Sequence, residues 1–221
     1  MKTSIECEIA EVFGRMSRTA RTKAEIDARF QAESRALGQK VDTSLLTSGF
    51  PSRCVATVDF REDRWLRALR FLTDEVMKPG ASTWLLIGTR GGGKTTMATC
   101  AARAVVTAGG RARFAYLPEV LDAMRESATA TIKRLGIVRL LVIDDVATEC
   151  KLTTWQRDAL TTLIRRRHDN ELPTVMTANG TKAATVQRQG ATIASRLAQG
   201  GIISADWPSF RHTSQDARST E

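Results

Sequence analysis

Thr83-Trp84-Leu85-Leu86-Ile87-Gly88-Thr89-Arg90-Gly91-Gly92-Gly93-Lys94-Thr95 decides how this 221-residue chain folds. Thr83 to Ile87 is a short apolar run that reads as a buried strand. Met97, Cys100, Ala101, Ala104, Val105 and Ala108 then recur at helical spacing, and Gly109-Gly110 ends that helix. Between strand and helix, Gly88 to Thr95 fits the spacing G-x-x-x-x-G-K-[ST]. The composition has a chemical reason. Glycines let the backbone wrap around phosphate with its N–H groups inward, and the helix N-terminus adds a positive partial charge. Gly88, Arg90, Gly91, Gly92, Gly93, Lys94, Thr95 and Thr96 are therefore the candidates for holding a nucleoside triphosphate, expected to be ATP. Lys94 would reach the β and γ phosphates, and the Thr95 hydroxyl would ligate Mg²⁺.

Outward from this loop the pattern alternates strands and helices, as parallel α/β units do. Arg113 to Leu117 is a strand, and Pro118 suits the first turn of a helix through Met124. Arg139 to Ile143 is apolar enough to be buried on both faces, and it runs into Asp144-Asp145. Asp144 would hold Mg²⁺ through water and Asp145 would polarise an attacking water. Thr153 and Gln156 form a capping box for a helix through about Arg167. Thr174 to Thr177 is the next strand, and Asn179 at its end is placed to orient water against a γ-phosphate. Two short helices, stopped by Gly190 and Gly200-Gly201, precede a last strand, Ile202 to Ala205.

Before the loop, Trp65, Leu69, Leu72 and Val76 mark an amphipathic helix stopped by Pro79-Gly80. Ile5, Ile9, Val12, Phe13 and Met16 line one face of an N-terminal helix. Arg15, Arg18, Arg21 and Lys23 follow it, and Ile26 and Phe30 seed a weaker helix ending near Gly38. Thr43 to Pro51 reads as a linker turning into a loop. The expected organisation is an N-terminal helical region over 1–45, a nucleotide-binding domain over 46–211 and a flexible polar tail over 212–221.

The formal charge of +9 favours contact with a polyanion, since displaced counterions supply free energy without base reading. Cys7, Cys54, Cys100 and Cys150 lie too far apart in sequence for a zinc motif and read as buried or incidental thiols. No apolar run reaches the length of a membrane span. Glu6, Glu8 and Glu11 stand where a signal peptide would be apolar, so a cytoplasmic protein with no membrane partner is expected.

Taken together, these motifs resemble the AAA+ ATPases, and within them the DnaC/IstB-like branch, over Leu46 to Arg211. Ser48 to Arg53 is similar to the loop before the family's ATPase core, which implies Phe50 and Arg53 near the adenine. Pro173 to Asn179 resembles the sensor 1 strand. Ser195-Arg196-Leu197 matches the segment bearing the arginine finger, which implies that Arg196 reaches a neighbouring subunit's γ-phosphate. Trp207-Pro208-Ser209-Phe210-Arg211 resembles the closing motif of DnaC-type helicase loaders, with Arg211 as a sensor 2-like arginine. Related ATPases have Glu where this chain has Asp145, one methylene shorter, so the resemblance implies hydrolysis that is slow or stimulated by a partner or DNA. Members of this branch lack a helical lid, and only a short polar segment follows Arg211 here. Lys133-Arg134 lies where related proteins thread single-stranded DNA, and a solvated charged loop fits it equally well. One of Arg165, Arg166 and Arg167 could face a neighbour's nucleotide, while cations favoured at a helix C-terminus explain part of the run.

The resemblance implies an α/β AAA+ core without a lid, carrying ATP and Mg²⁺ and self-assembling through a shared ATP site on single-stranded DNA. Residues 1–45 would hold a replicative hexameric helicase. A transposition helper of the IstB type would share that core, and an adaptor with little hydrolysis would share its nucleotide binding.

Overall fold

The computed structural model describes residues 23–56, 62–80, 82–146, 152–180 and 200–210. Ile5, Ile9, Val12, Phe13 and Met16, the two short helices after Asn179, Arg196 and Arg211 lie outside the described residues. The elements in chain order are α1 (Lys23–Thr47), α2 (Ser52–Val55), α3 (Asp63–Met77), β1 (Thr83–Gly88), α4 (Lys94–Thr107), β2 (Ala112–Tyr116), α5 (Leu117–Leu135), β3 (Leu140–Asp144), α6 (Thr154–Asp169), β4 (Thr174–Asn179) and β5 (Gly201–Ala205). The chain divides into two compact units, residues 1–40 and 41–221.

All strand pairings are parallel, in the order β2-β3-β4-β1-β5. Side chains alternate across a strand, and both faces of this sheet are apolar, as a parallel sheet covered by helices requires. Leu86, Val142 and Val175 face a core with α3 and α4, including Leu72, Val76, Met97 and Ala101. Leu85, Ile143 and Met176 face the opposite core with α5 and α6, including Leu121, Met124, Leu160 and Leu163. This is the α/β fold expected from the loop and the acidic strand. Its order has one decisive consequence: β4 lies between β1 and β3, so Asn179 pairs in register with Gly88.

The N-terminal side departs from the expected linker. Thr43 to Thr47 is helical, because α1 continues past Gly38 to Thr47. Val41 and Leu45, one helical turn apart, are buried among the core side chains and hold those turns in place. The helix ends at Gly49, whose φ of +88° lies in the left-handed region. The Gly49 N–H donates to Leu46 O and the Phe50 N–H to Leu45 O, each at 3.1 Å, a Schellman cap. Helix α5 likewise outruns its expected end at Met124. It breaks at Ser127, where φ is −157° and ψ 96°, and restarts with the Ser127 Oγ accepting from the Ala130 N–H at 3.3 Å. The capping box is as expected: the Gln156 N–H donates to Thr153 Oγ1 at 3.2 Å and the Thr153 N–H to Gln156 Oε1 at 2.9 Å.

Of the arginine run on α6, Arg165 and Arg166 are exposed and Arg167 is fully buried. The Arg167 guanidinium donates to Leu135 O at 2.7 Å, Val138 O at 3.0 Å, Pro173 O at 2.6 Å and Thr174 Oγ1 at 2.9 Å. It therefore joins the end of α6 to the α5–β3 turn and to the start of β4. Burial, and the nearby Arg139 charge, push its pKa down to about 9, which leaves it a cation at neutral pH. Arg167→Met would strand those acceptors without a donor, at about 1–3 kcal/mol each when buried. Urea unfolding should show a stability loss of about 3 kcal/mol or more. A loss no larger than that of Arg165→Met would mean that water replaces the guanidinium.

Candidate nucleotide-binding site

The glycine loop leaves the carboxyl end of β1 and enters α4, at the sheet edge where ligands bind in open α/β folds. Gly93 is the residue before the first turn of α4, with φ +70° and ψ 19°. A Cβ there would lie 2.9 Å from Trp65 Nε1 and 3.3 Å from the Phe210 ring, so space and backbone both demand glycine. Lys94 is buried, and its ammonium donates to Thr89 O at 2.7 Å and Gly88 O at 3.2 Å. The side chain thus lies across the loop that it follows. Arg90 is exposed, and Thr95 and Thr96 are half-buried.

The structure brings the loop and the acidic strand together. The Thr95 hydroxyl donates to Asp144 Oδ1 at 3.0 Å. The same oxygen accepts from the Thr177 hydroxyl of β4 at 2.5 Å. Burial raises the Asp144 pKa, with Asp145 adding to the rise, while the Thr177 and Thr95 hydrogen bonds and Lys94 oppose it. Thr95 and Asp144 are hard oxygen donors that meet at one point. That donor set fits Mg²⁺, which takes one or two protein oxygens and fills the rest of its shell with phosphate and water.

Asp145 follows with φ +56°, a left-handed backbone uncommon outside glycine. Its N–H donates to Thr177 Oγ1 at 3.1 Å, and its carboxylate accepts from the Asn179 amide at 3.2 Å. Two residues picked from separate strands therefore form one pair. The insertion of β4 between β1 and β3 is what puts them there.

Other sequence candidates take different positions. Phe50 is buried, its ring 5.4 Å from that of Phe114. Arg53 is exposed on α2, and α2 touches the loop's helix where the Thr96 hydroxyl meets Cys54 Sγ at 3.6 Å. Cys54 and Cys100 are free thiols, and burial pushes the Cys100 thiol up. Lys133 and Arg134 are exposed in the last turn of α5, which leads to the amino end of β3, away from the edge that carries the loop.

Sequence reasoning missed three groups at this site. Thr177 lay within a segment read only as strand. Trp65 was read as the apolar face of a helix, and its indole N–H donates to Gly93 O at 3.4 Å. Trp207 was quoted for its resemblance, and its buried indole N–H donates to Gly92 O at 2.8 Å. The Phe210 N–H completes the set by donating to Gly91 O at 3.1 Å. Tyr116 also stands at this edge, in register with Asp144. Burial and the Asp144 charge raise its phenol pKa.

No protein-family model and no curated protein sequence matches the chain. Solved structures do match in fold. The structure described as DnaI is 20% identical with a TM-score of 0.59, the match covering 74% of this chain and 95% of that one. The DnaC helicase loader is 22% identical with a TM-score of 0.58, over 67% of this chain and 94% of that one. A DNA replication initiation factor and DnaA bound to AMPPCP and single-stranded DNA are each 13% identical with TM-scores of 0.60. These matches cover 75% and 77% of this chain, which spans only 54% and 56% of those two. The chain thus shares the α/β fold of the DnaC, DnaI and DnaA structures, and that likeness agrees with the resemblance carried by the motifs.

The loop geometry yields a contrast between adjacent glycines. Gly92 meets nothing closer than 3.4 Å at a built Cβ, whereas Gly93 is both crowded and left-handed. Gly92→Ala should therefore melt close to the wild type, and Gly93→Ala should lose about 1–3 kcal/mol. Equal melting temperatures for the two variants would show that the loop relaxes freely around position 93.

Proposed function

We propose that this chain is an ATP-dependent helicase loader of the DnaC type that acts on single-stranded DNA at replication initiation. The observation that carries the nucleotide part is the Thr95–Asp144 hydrogen bond of 3.0 Å, which joins the loop helix to the acidic strand. The loop's N–H groups and Lys94 bind the phosphates. Thr95 and Asp144 would hold Mg²⁺, which would neutralise the phosphate charge. Asp145, oriented by Asn179, takes a proton from water as the water oxygen bonds to the γ-phosphorus. The bond from that phosphorus to the bridging oxygen breaks, and ADP and phosphate leave.

The loader reading rests on the DnaC-type ending at Trp207 to Arg211, on the fold shared with a DnaC helicase loader and on the charge of +9. In this reading residues 1–45 grip the replicative helicase, and Lys133 and Arg134 contact the DNA backbone. Copies of the chain assemble side by side, Arg196 reaching a neighbour's γ-phosphate and Arg211 sensing the nucleotide. ATP favours the assembled state, and hydrolysis dismantles it. Phe50 and Arg53 line the approach to the adenine.

Two outcomes follow. Asp145→Asn should bind ATP normally and hydrolyse it about 100-fold more slowly, the lower end of general-base effects. Wild-type turnover in that variant would reduce Asp145 to a strand-end carboxylate. Binding to a labelled single-stranded oligonucleotide should require ATP and weaken steeply with salt. It should also vanish in Lys94→Ala. Binding that ignores ATP and salt would remove the loader reading, and co-purification of a transposase instead of a hexameric helicase would move the chain to the transposition helpers.

A further inference from the structure

The three consecutive glycine carbonyls of the loop are each held from outside by a different residue, drawn from two parts of the chain. Gly91 O accepts from the Phe210 N–H at 3.1 Å, Gly92 O from the Trp207 indole at 2.8 Å and Gly93 O from the Trp65 indole at 3.4 Å. Trp65 lies on α3, and Trp207 and Phe210 follow β5. We propose that Trp207, assisted by Trp65 and the Phe210 backbone, is a positioning residue that sets the phosphate loop in its binding form. The inference rests on the reading of Gly88 to Thr95 as the phosphate site.

A trans peptide is planar, so its C=O and the following N–H point in opposite directions. Fixing the Gly92 carbonyl toward Trp207 aims the Gly93 N–H away from it. The Gly93 carbonyl accepts from the Met97 N–H of α4 at 2.8 Å, which turns the Lys94 N–H the same way, and Trp65 adds a second, longer donor. These are the groups that a phosphate needs, and without Trp207 the Gly92–Gly93 peptide would be free to rotate. The environment of Trp207 supports this role. The residue is 4% exposed, and a buried indole N–H requires an acceptor. A ring of the same shape without the N–H would satisfy the apolar packing but could not orient the peptide. The Phe210 ring lies against Gly93 from the same segment, so the residues after β5 contact the loop at both glycines. The segment that follows β5 is therefore tied directly to the phosphate loop.

The test removes the donor and keeps the shape. Trp207 is replaced by phenylalanine and, separately, by benzothienylalanine, whose fused ring has sulfur in place of the N–H. Affinity for fluorescent ATP and ADP analogues is measured well below the melting temperature of each protein. Both variants should bind about 3- to 10-fold more weakly, the range for one hydrogen bond. Trp155→Phe, at an exposed position, should bind as the wild type. If Trp207→Phe does not fold, the benzothienylalanine protein decides. Wild-type affinity in that protein, with or without a lower melting temperature, overturns the proposal and leaves Trp207 a packing residue. Lys94→Ala separates this failure from that of the site itself. Should Lys94→Ala lose nucleotide while the benzothienylalanine protein keeps it, only the positioning role falls. Should Lys94→Ala bind as the wild type, the phosphate-site reading falls, and the positioning role with it.

Discussion

A single carboxylate oxygen, Asp144 Oδ1, joins the parts of this protein that matter for its chemistry. It accepts from Thr95 on the loop helix and from Thr177 on β4. A buried carboxylate is costly, and hydrogen bonds to its charged form are what make it tolerable. Here two hydroxyls supply them, and each brings a separate element to the end of β3. The result is a site whose acidic residue, loop and central strand are held in register with one another. Burial still pushes the carboxylate toward its neutral form against those two bonds, and a cation bound beside it would favour the charged form.

The opposite edge of the sheet is organised around the reverse charge. Arg167 gives its hydrogen bonds to neutral oxygens, three of them backbone carbonyls. β4 takes part at both ends, with Thr174 on the guanidinium and Thr177 on the carboxylate. This strand lies between the loop strand and the acidic strand, so its threonines act where its neighbours need them. The division of labour explains why β4, with no charged residue of its own, organises two buried charges.

Much of this was legible in the sequence because the signals are local. Strands showed as apolar runs, the capping box at Thr153 and Gln156 showed as a spacing, and the loop showed as a motif. The missed features depend on partners far along the chain. Trp207 and Gly92 are 115 residues apart, Trp65 and Gly93 are 28 apart, and no periodicity connects them. The extension of α1 was missed for a different reason. Gly38 and the polar stretch around it argue locally for a helix end, but burial of Val41 and Leu45 outweighs a propensity difference of about 1 kcal/mol. Thr177 was hidden in plain view, since a threonine in a strand is ordinary and only the neighbouring carboxylate gives it a role.

The choice of aspartate over glutamate at position 145 has a local conformational account. Asp145 occupies the left-handed region at φ +56°, and its backbone N–H and its side chain are both held by β4. Among residues other than glycine, Asp and Asn enter this region most readily, because a short polar side chain can hydrogen-bond locally. Glutamate lacks that advantage, and its extra methylene would carry the carboxylate past the Asn179 amide that meets Asp145 at 3.2 Å. The shorter acid therefore suits this backbone better than the longer one.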